Sequence, residues 1–180
     1  MHRRQFIIAA STGAIAQMLT PIALAQTSDF WSLPRSVWLY RPATREQVRE
    51  VYFADGAMVW AGYTRLCELL RDTHENKVLQ MSPVLLDILY GVQGWLAANN
   101  IQRPLYTNSG YRTARTNANT EGAARNSLHM EGRAWDGHVP GISTESLARF
   151  GLYLSGGGVG FYQAKNFVHL DDGRMRFWRG

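Results

Sequence analysis

The chain is short of the features that usually staple or label a small protein. It has one cysteine, Cys67, which excludes an intramolecular disulfide. It has no dense run of lysine or arginine. The formal charge of +5 is therefore a modest excess, suited to ordinary solubility or to an acidic surface and not to a nucleic acid. It has no internal repeat, no low-complexity linker and no sign of a second domain. His74-Glu75 begins as a His-Glu-x-x-His zinc helix would, but the fifth position is Val78 and the motif fails. That leaves His74 as a solvated loop residue. Ser155-Gly156-Gly157-Gly158-Val159-Gly160 is rich in glycine, yet no Gly-Lys-Ser/Thr follows, which excludes a phosphate loop.

What is present is enough for a core. A chain of 180 residues, 46% hydrophobic, fits one globular domain that needs no staple. Residues 1–25 are set apart from it. Arg3-Arg4-Gln5-Phe6-Ile7 precedes an apolar stretch from Ile7 to Leu24, and Ala23-Leu24-Ala25 supplies a small-x-small cleavage site. This is the layout of a twin-arginine export signal, with a folded domain over 26–180 and no stable membrane span after cleavage. The expected location is periplasmic. The sequence is silent on oligomeric state.

Within 26–180 the periodicities alternate between strand and helix. Ser36 to Arg41 and Gln47 to Phe53 predict a hairpin turning near Pro42-Ala43-Thr44. Met58 to Arg71 has helical spacing, and Cys67 within it is a packing residue. Ser82-Pro83 predicts a capped helix start, followed by a stripe of Leu85, Leu86, Leu89, Val92 and Leu96 down to Asn99-Asn100. Pro104 to Thr107 reads as a strand, and Thr113 to Arg125 as a polar loop. Ser143 caps a helix carrying Leu147, Phe150 and Leu154. Val159 to Tyr162 is a strand. Phe167 to Asp171 and Arg174 to Trp178 predict a second hairpin, turning at Asp172-Gly173.

Two stretches carry chemistry. Ser127 to His138 places His129 and Asp136 seven residues apart, with Gly132 between them where the backbone must turn or approach something closely. Imidazole plus carboxylate starts a zinc site but also describes an ordinary hydrogen-bonded couple. Further on, His169 is a lone polar residue in the apolar run Phe167 to Leu170, and burial would require it to have a partner. Residues two apart in a strand share a face. Asp136 and His138 therefore point one way, as do His169 and Asp171. Two neighbouring strands would gather all four.

The full pattern, Ser-x-His-x-x-Gly-x-Ala-x-Asp followed by His-x-Asp, resembles the zinc peptidases of the lysostaphin, D-Ala-D-Ala peptidase and sonic hedgehog group. Ser-Gly-Tyr-Arg at 109–112 and Gly-Gly-Val-Gly-Phe-Tyr at 157–162 stand in the order that resemblance requires. With the final Arg-Phe-Trp they look most like the YcbK-type murein endopeptidase branch, over roughly Val37 to Trp178. The resemblance implies an α+β domain, hedgehog- and D,D-peptidase-like, whose small antiparallel sheet carries a Zn²⁺ site with helices packed on it. It implies hydrolysis of cross-link peptides in peptidoglycan, with the peptide stems as partner. The ligands would be His129, Asp136 and His169, with water in the open fourth place that marks a catalytic zinc. Arg112 would stabilise an oxyanion, and Ser127 and His138 would contact substrate. Several relatives keep a catalytic acid three residues before the last histidine. Here that position is Asn166, so Asp171 is the expected base and His138 its rival. Two other activities fit the same motifs: a D-Ala-D-Ala carboxypeptidase or dipeptidase, and a non-catalytic zinc-stabilised wall-binding module.

Overall fold

The computed structural model describes residues 27–180, and the expected export signal at 1–25 lies outside them. A short helical turn, α1 (Thr27–Phe30), leads into a hairpin of β1 (Arg35–Arg41) and β2 (Glu46–Ala54). The hairpin turns through Arg45 at φ 60°. β3 (Ala57–Met58) pairs back onto β2, so Met58 belongs to the sheet and the helix expected there begins later, as α2 (Trp60–Leu69). α3 (Pro83–Ala98) carries the predicted apolar stripe, with Leu85, Leu86, Leu89, Val92 and Leu96 all buried. β4 (Leu105–Ser109), β5 (Ala134–His138), α5 (Thr144–Leu154), β6 (Gly158–Tyr162), β7 (Phe167–Asp171) and β8 (Arg176–Arg179) complete the domain. Between β4 and β5 lies a five-residue helix, α4 (Ala114–Ala118), inside the stretch expected to be loop. Thr113 caps it, with Oγ1 accepting from Thr116 N at 3.1 Å.

The strands form one eight-stranded sheet in the order β3-β2-β1-β4-β5-β7-β6-β8. The expected small antiparallel sheet is therefore too small and too simple. The N-terminal hairpin joins the C-terminal strands through a parallel β1–β4 pairing, Leu39 with Leu105 and Tyr40 with Tyr106. A parallel pairing needs a long crossover, and α2 and α3 provide it. The hairpin predicted at Asp172-Gly173 does not form. β7 already has β5 on one edge and β6 on the other, so the chain passes over β6 and β8 runs parallel along its far side.

Strand alternation separates two faces at the centre of the sheet. Trp135, Val168, Leu170 and Val159 join the hydrophobic core, which α3 and α5 help to cover. Truncating a buried leucine of this core, such as Leu89 to alanine, costs about 2–5 kcal/mol. The intervening residues, Asp136 and His169, face the opposite side, where they are direct register partners. The fold thus sets a histidine and a carboxylate side by side on adjacent central strands. No helix among the described residues is long and apolar enough to cross a membrane.

Candidate metal centre

His129 reaches the same place from a different kind of element. It sits in a 3₁₀ turn, Leu128–Glu131, capped by Ser127, whose Oγ accepts from His129 N at 3.3 Å. Gly132 closes the turn at φ 66°, and a Cβ there would lie 2.9 Å from the Gln80 carbonyl oxygen. Ser-Gly-Tyr-Arg grips this turn from the other side. Arg112 N donates to the His129 carbonyl at 3.1 Å, and His129 Nδ1 donates to the Gly110 carbonyl at 2.6 Å. A carbonyl only accepts, so this bond puts the ring proton on Nδ1 and leaves the Nε2 lone pair facing inward.

His169 is oriented by the same logic from behind. Its Nε2 donates to Asp171 Oδ2 at 2.8 Å, which turns Nδ1 toward Asp136 Oδ1 at 2.8 Å. His129 Nε2 then lies 3.2 Å from His169 Nδ1 and 3.2 Å from Asp136 Oδ2. One ligand atom from each of the three residues falls within 4.8 Å of the others, and all three residues are buried. Two imidazole lone pairs and a carboxylate converge, while both outer ring nitrogens are already committed as donors. Such a donor set needs a cation at its centre. A metal ion fits it, and in its absence a proton must serve. Burial disfavours charge on His169, yet the flanking Asp136 and Asp171 carboxylates outweigh that and raise its pKa. Burial likewise pushes the Asp136 carboxyl up, but His129 and His169 win and hold it well below the usual range.

The residues expected around this cluster divide sharply. Arg112 stands beside it, donating through Nη2 to Asp136 Oδ2 and through Nε to Ser109 Oγ at 2.8 Å. Ser127 serves the turn that carries His129. His138 does not join: its ring packs 5.3 Å from that of Tyr106, and its Nδ1 is buried with no partner among the described residues. Desolvation lowers its pKa. Of the four side chains that strand alternation was expected to gather, Asp136 and His169 converge and His129 joins them from its own turn, while Asp171 stands behind His169 and His138 lies apart. Asp171 lies against the outer nitrogen of His169, away from the convergence point. Its Oδ1 accepts from Gly158 N, Gly173 N and Arg176 Nη1 at 2.9–3.0 Å, and its Oδ2 from His169 Nε2 and from Arg176 Nη2 at 2.6 Å. A carboxylate so fully occupied has no lone pair left to take a substrate proton. Asn166 adopts φ 53° at the close of the turn before β7, a left-handed backbone that asparagine tolerates.

Three contributors were not foreseen as site residues. Arg176 anchors Asp171. Trp178 sets its ring 5.1 Å from that of His169, lying so close over β6 that a Cβ on Gly160 would meet it at 2.6 Å. Asp72, 2% exposed, accepts from His74 N, Glu75 N and Thr113 N and so ties the loop after α2 to α4. Period-two alternation places Arg176 and Trp178 on one face of a strand, but not which strand they lie beside. Asp72 belongs to no motif. A cavity of about 300 Å³ opens beside the cluster, with Asp72, Arg112, Asp136, Lys165 and Phe167 among its walls.

The chain matches the family model described as peptidoglycan L,D-endopeptidase MepK over residues 31–178. It is 32% identical to peptidoglycan L,D-endopeptidase MepK of Escherichia coli strain K12 over 181 residues, 98% of this chain and 97% of that protein. The Shigella flexneri protein of the same name matches to the same extent. A probable peptidoglycan L,D-endopeptidase MepK of Haemophilus influenzae is 36% identical over 120 residues, 64% of this chain and 63% of that one.

Proposed function

The chain belongs to the peptidoglycan L,D-endopeptidase MepK family, and on that premise we propose that it is a zinc-dependent endopeptidase cutting an L,D-peptide bond in wall cross-links. The observation that carries this reading is the convergence of His129 Nε2, His169 Nδ1 and the Asp136 carboxylate beside an open cavity. Two nitrogens and one carboxylate, with a fourth place free, suit zinc in a catalytic site. Zinc held there supplies Lewis acidity and a nucleophilic water at neutral pH.

The protein's own residues do the rest. Gly110 and Asp171 fix the tautomers of the two histidines, so both present lone pairs without rearrangement. Arg176 holds Asp171 in turn. Arg112 lies at the cavity wall next to Asp136, where its guanidinium neutralises the negative charge that develops on the scissile carbonyl oxygen. Asp171 is a positioning residue for His169 and not the base, because its acceptor sites are filled.

The substrate is the peptide stem of peptidoglycan, which places the protein in the periplasm. Residues 1–25 serve as the twin-arginine export signal in this reading. Replacing Arg3 and Arg4 by lysine should leave precursor in the cytoplasm, and unchanged periplasmic appearance would refute the route. The activity itself is tested by incubating purified protein with cross-linked muropeptides, with and without chelator. Chelator-sensitive conversion of dimers to monomers is expected. Intact dimers after incubation with zinc-loaded protein would overturn the reading.

A further inference from the structure

The cavity beside the metal cluster is lined by charge of both signs, and most of it is committed to the fold or to the proposed chemistry. Arg41 donates to the carbonyls of Leu69 at 2.8 Å and Arg71 at 2.6 Å. Asp72 is consumed by three backbone N–H groups, and Arg112, held by Ser109 and Asp136, is reserved for the scissile carbonyl in the reading above. Two charges are left over. Lys165 ends the 3₁₀ turn Gln163–Lys165 before β7, and Glu121 stands on the loop after α4. Both line the cavity, both are exposed, and neither has a hydrogen-bond or ion-pair partner among the described residues. They approach from different segments, with Phe167 and Tyr111 in the same lining to meet methylene groups.

A cavity of about 300 Å³ is at the small end for ligand sites and takes about one residue of a peptide. An occupant that answers both free charges needs a carboxylate for Lys165 and an ammonium for Glu121, joined by a short apolar stem. A terminal alanine offers a carboxylate alone, and a lysine side chain an ammonium alone. We propose that Lys165 and Glu121 are the specificity-determining pair of this site, selecting a stem residue that carries a free carboxylate and a free ammonium outside the scissile bond. This rests on the endopeptidase reading above. Neither residue touches the metal cluster, so neither is catalytic; they set which stem is seated.

The test compares cross-linked muropeptide dimers whose free side-chain carboxylate is intact with the same dimers carrying a carboxamide. The readout is the ratio of kcat/KM for acid over amide, measured on zinc-loaded full-length mature protein. Wild type should favour the acid by about two- to fivefold, the scale of one exposed charge pair. Lys165→Gln should bring the ratio to about one, Lys165→Glu should invert it, and Lys165→Arg should restore it. With N-acetylated dimers in place of amidated ones, Glu121→Gln should abolish the corresponding preference for the free amine. A ratio in Lys165→Gln equal to that of wild type, with dimers still cut, would overturn the pair while leaving the endopeptidase reading intact. Failure of wild type to cut either dimer would remove both.

Discussion

Asp136 and Asp171 sit on neighbouring strands, both buried, each against one ring nitrogen of His169 and each touched by an arginine. The similarity ends there. In front of His169, Asp136 meets a second histidine and an open cavity, so its oxygens share space with two lone pairs. Behind it, Asp171 meets two backbone N–H groups and both arms of Arg176, so its oxygens are saturated with donors. Burial pushes both carboxyls up and is outweighed in both: His129 and His169 hold Asp136 down, and His169, Arg176 and Gly173 N–H hold Asp171 down. A low pKa alone therefore does not separate a ligand from a brace. The identity of the remaining neighbours does.

The largest effect should come from the front. Asp136→Asn removes the charged member of the donor set, and bound zinc should fall below stoichiometry with hydrolysis reduced to background. Elemental analysis and the muropeptide assay check this together. Full zinc content in that variant would make the two carboxylates equivalent and break the comparison.

Arg112→Gln comes next. It leaves the three donors in place but removes the cation that the proposed mechanism turns toward the scissile carbonyl. Zinc should be retained while kcat falls about 10²–10³-fold, the usual loss for one oxyanion donor. A change confined to KM would assign Arg112 to substrate binding alone.

Behind His169 the effect should be smaller and of a different kind. Asp171→Asn should weaken zinc affinity or activity about 10–100-fold, as loss of an outer partner does. A base would behave otherwise, losing about 10²–10⁴-fold in turnover with affinity for zinc unaltered. Zinc titration and turnover at saturating metal separate the two outcomes.

The smallest effect lies outside the comparison and serves as its control. Asp72 is buried without a histidine, and hydrogen bonds from Thr116 and from the N–H groups of Thr113, Glu75 and His74 outweigh desolvation to lower its pKa from 3.8 to about 2. A depressed carboxylate contributes stability that is complete above the unfolded-state value and lost as pH falls through the folded one. Metal-free protein should therefore lose about 2 kcal/mol between pH 5 and pH 2 through this group. Urea melts of Asp72→Asn should lack that increment. An equal acid sensitivity in both proteins would contradict it.

Much of the front of the site was legible in the sequence. A spacing of seven from His129 to Asp136, a glycine between them, and a lone histidine in an apolar run mark the three residues that the structure brings together. The back was not. Alternation puts His169 and Asp171 on one face, but which ring nitrogen looks forward depends on Arg176 and Gly158, which arrive from elsewhere in the sheet. Ser82 makes the same point. It stands at the start of α3 as expected, yet its hydroxyl donates to Asp172 instead of capping the helix. The size of the sheet was hidden because it hinges on two parallel pairs between Leu39-Tyr40 and Leu105-Tyr106, a pairing that leaves no local pattern. α4 was hidden because five residues are too few to display a helical period.

The central claim is that metal sits in front of His169, on Nδ1, with Asp171 behind it. Diffraction from crystals of zinc-loaded protein, recorded at the zinc absorption edge, tests that directly. One anomalous peak is expected about 2.0–2.2 Å from His129 Nε2, His169 Nδ1 and an Asp136 oxygen, with Asp171 still hydrogen-bonded to His169 Nε2. A peak on the Nε2 side of His169, within bonding distance of Asp171, would contradict it.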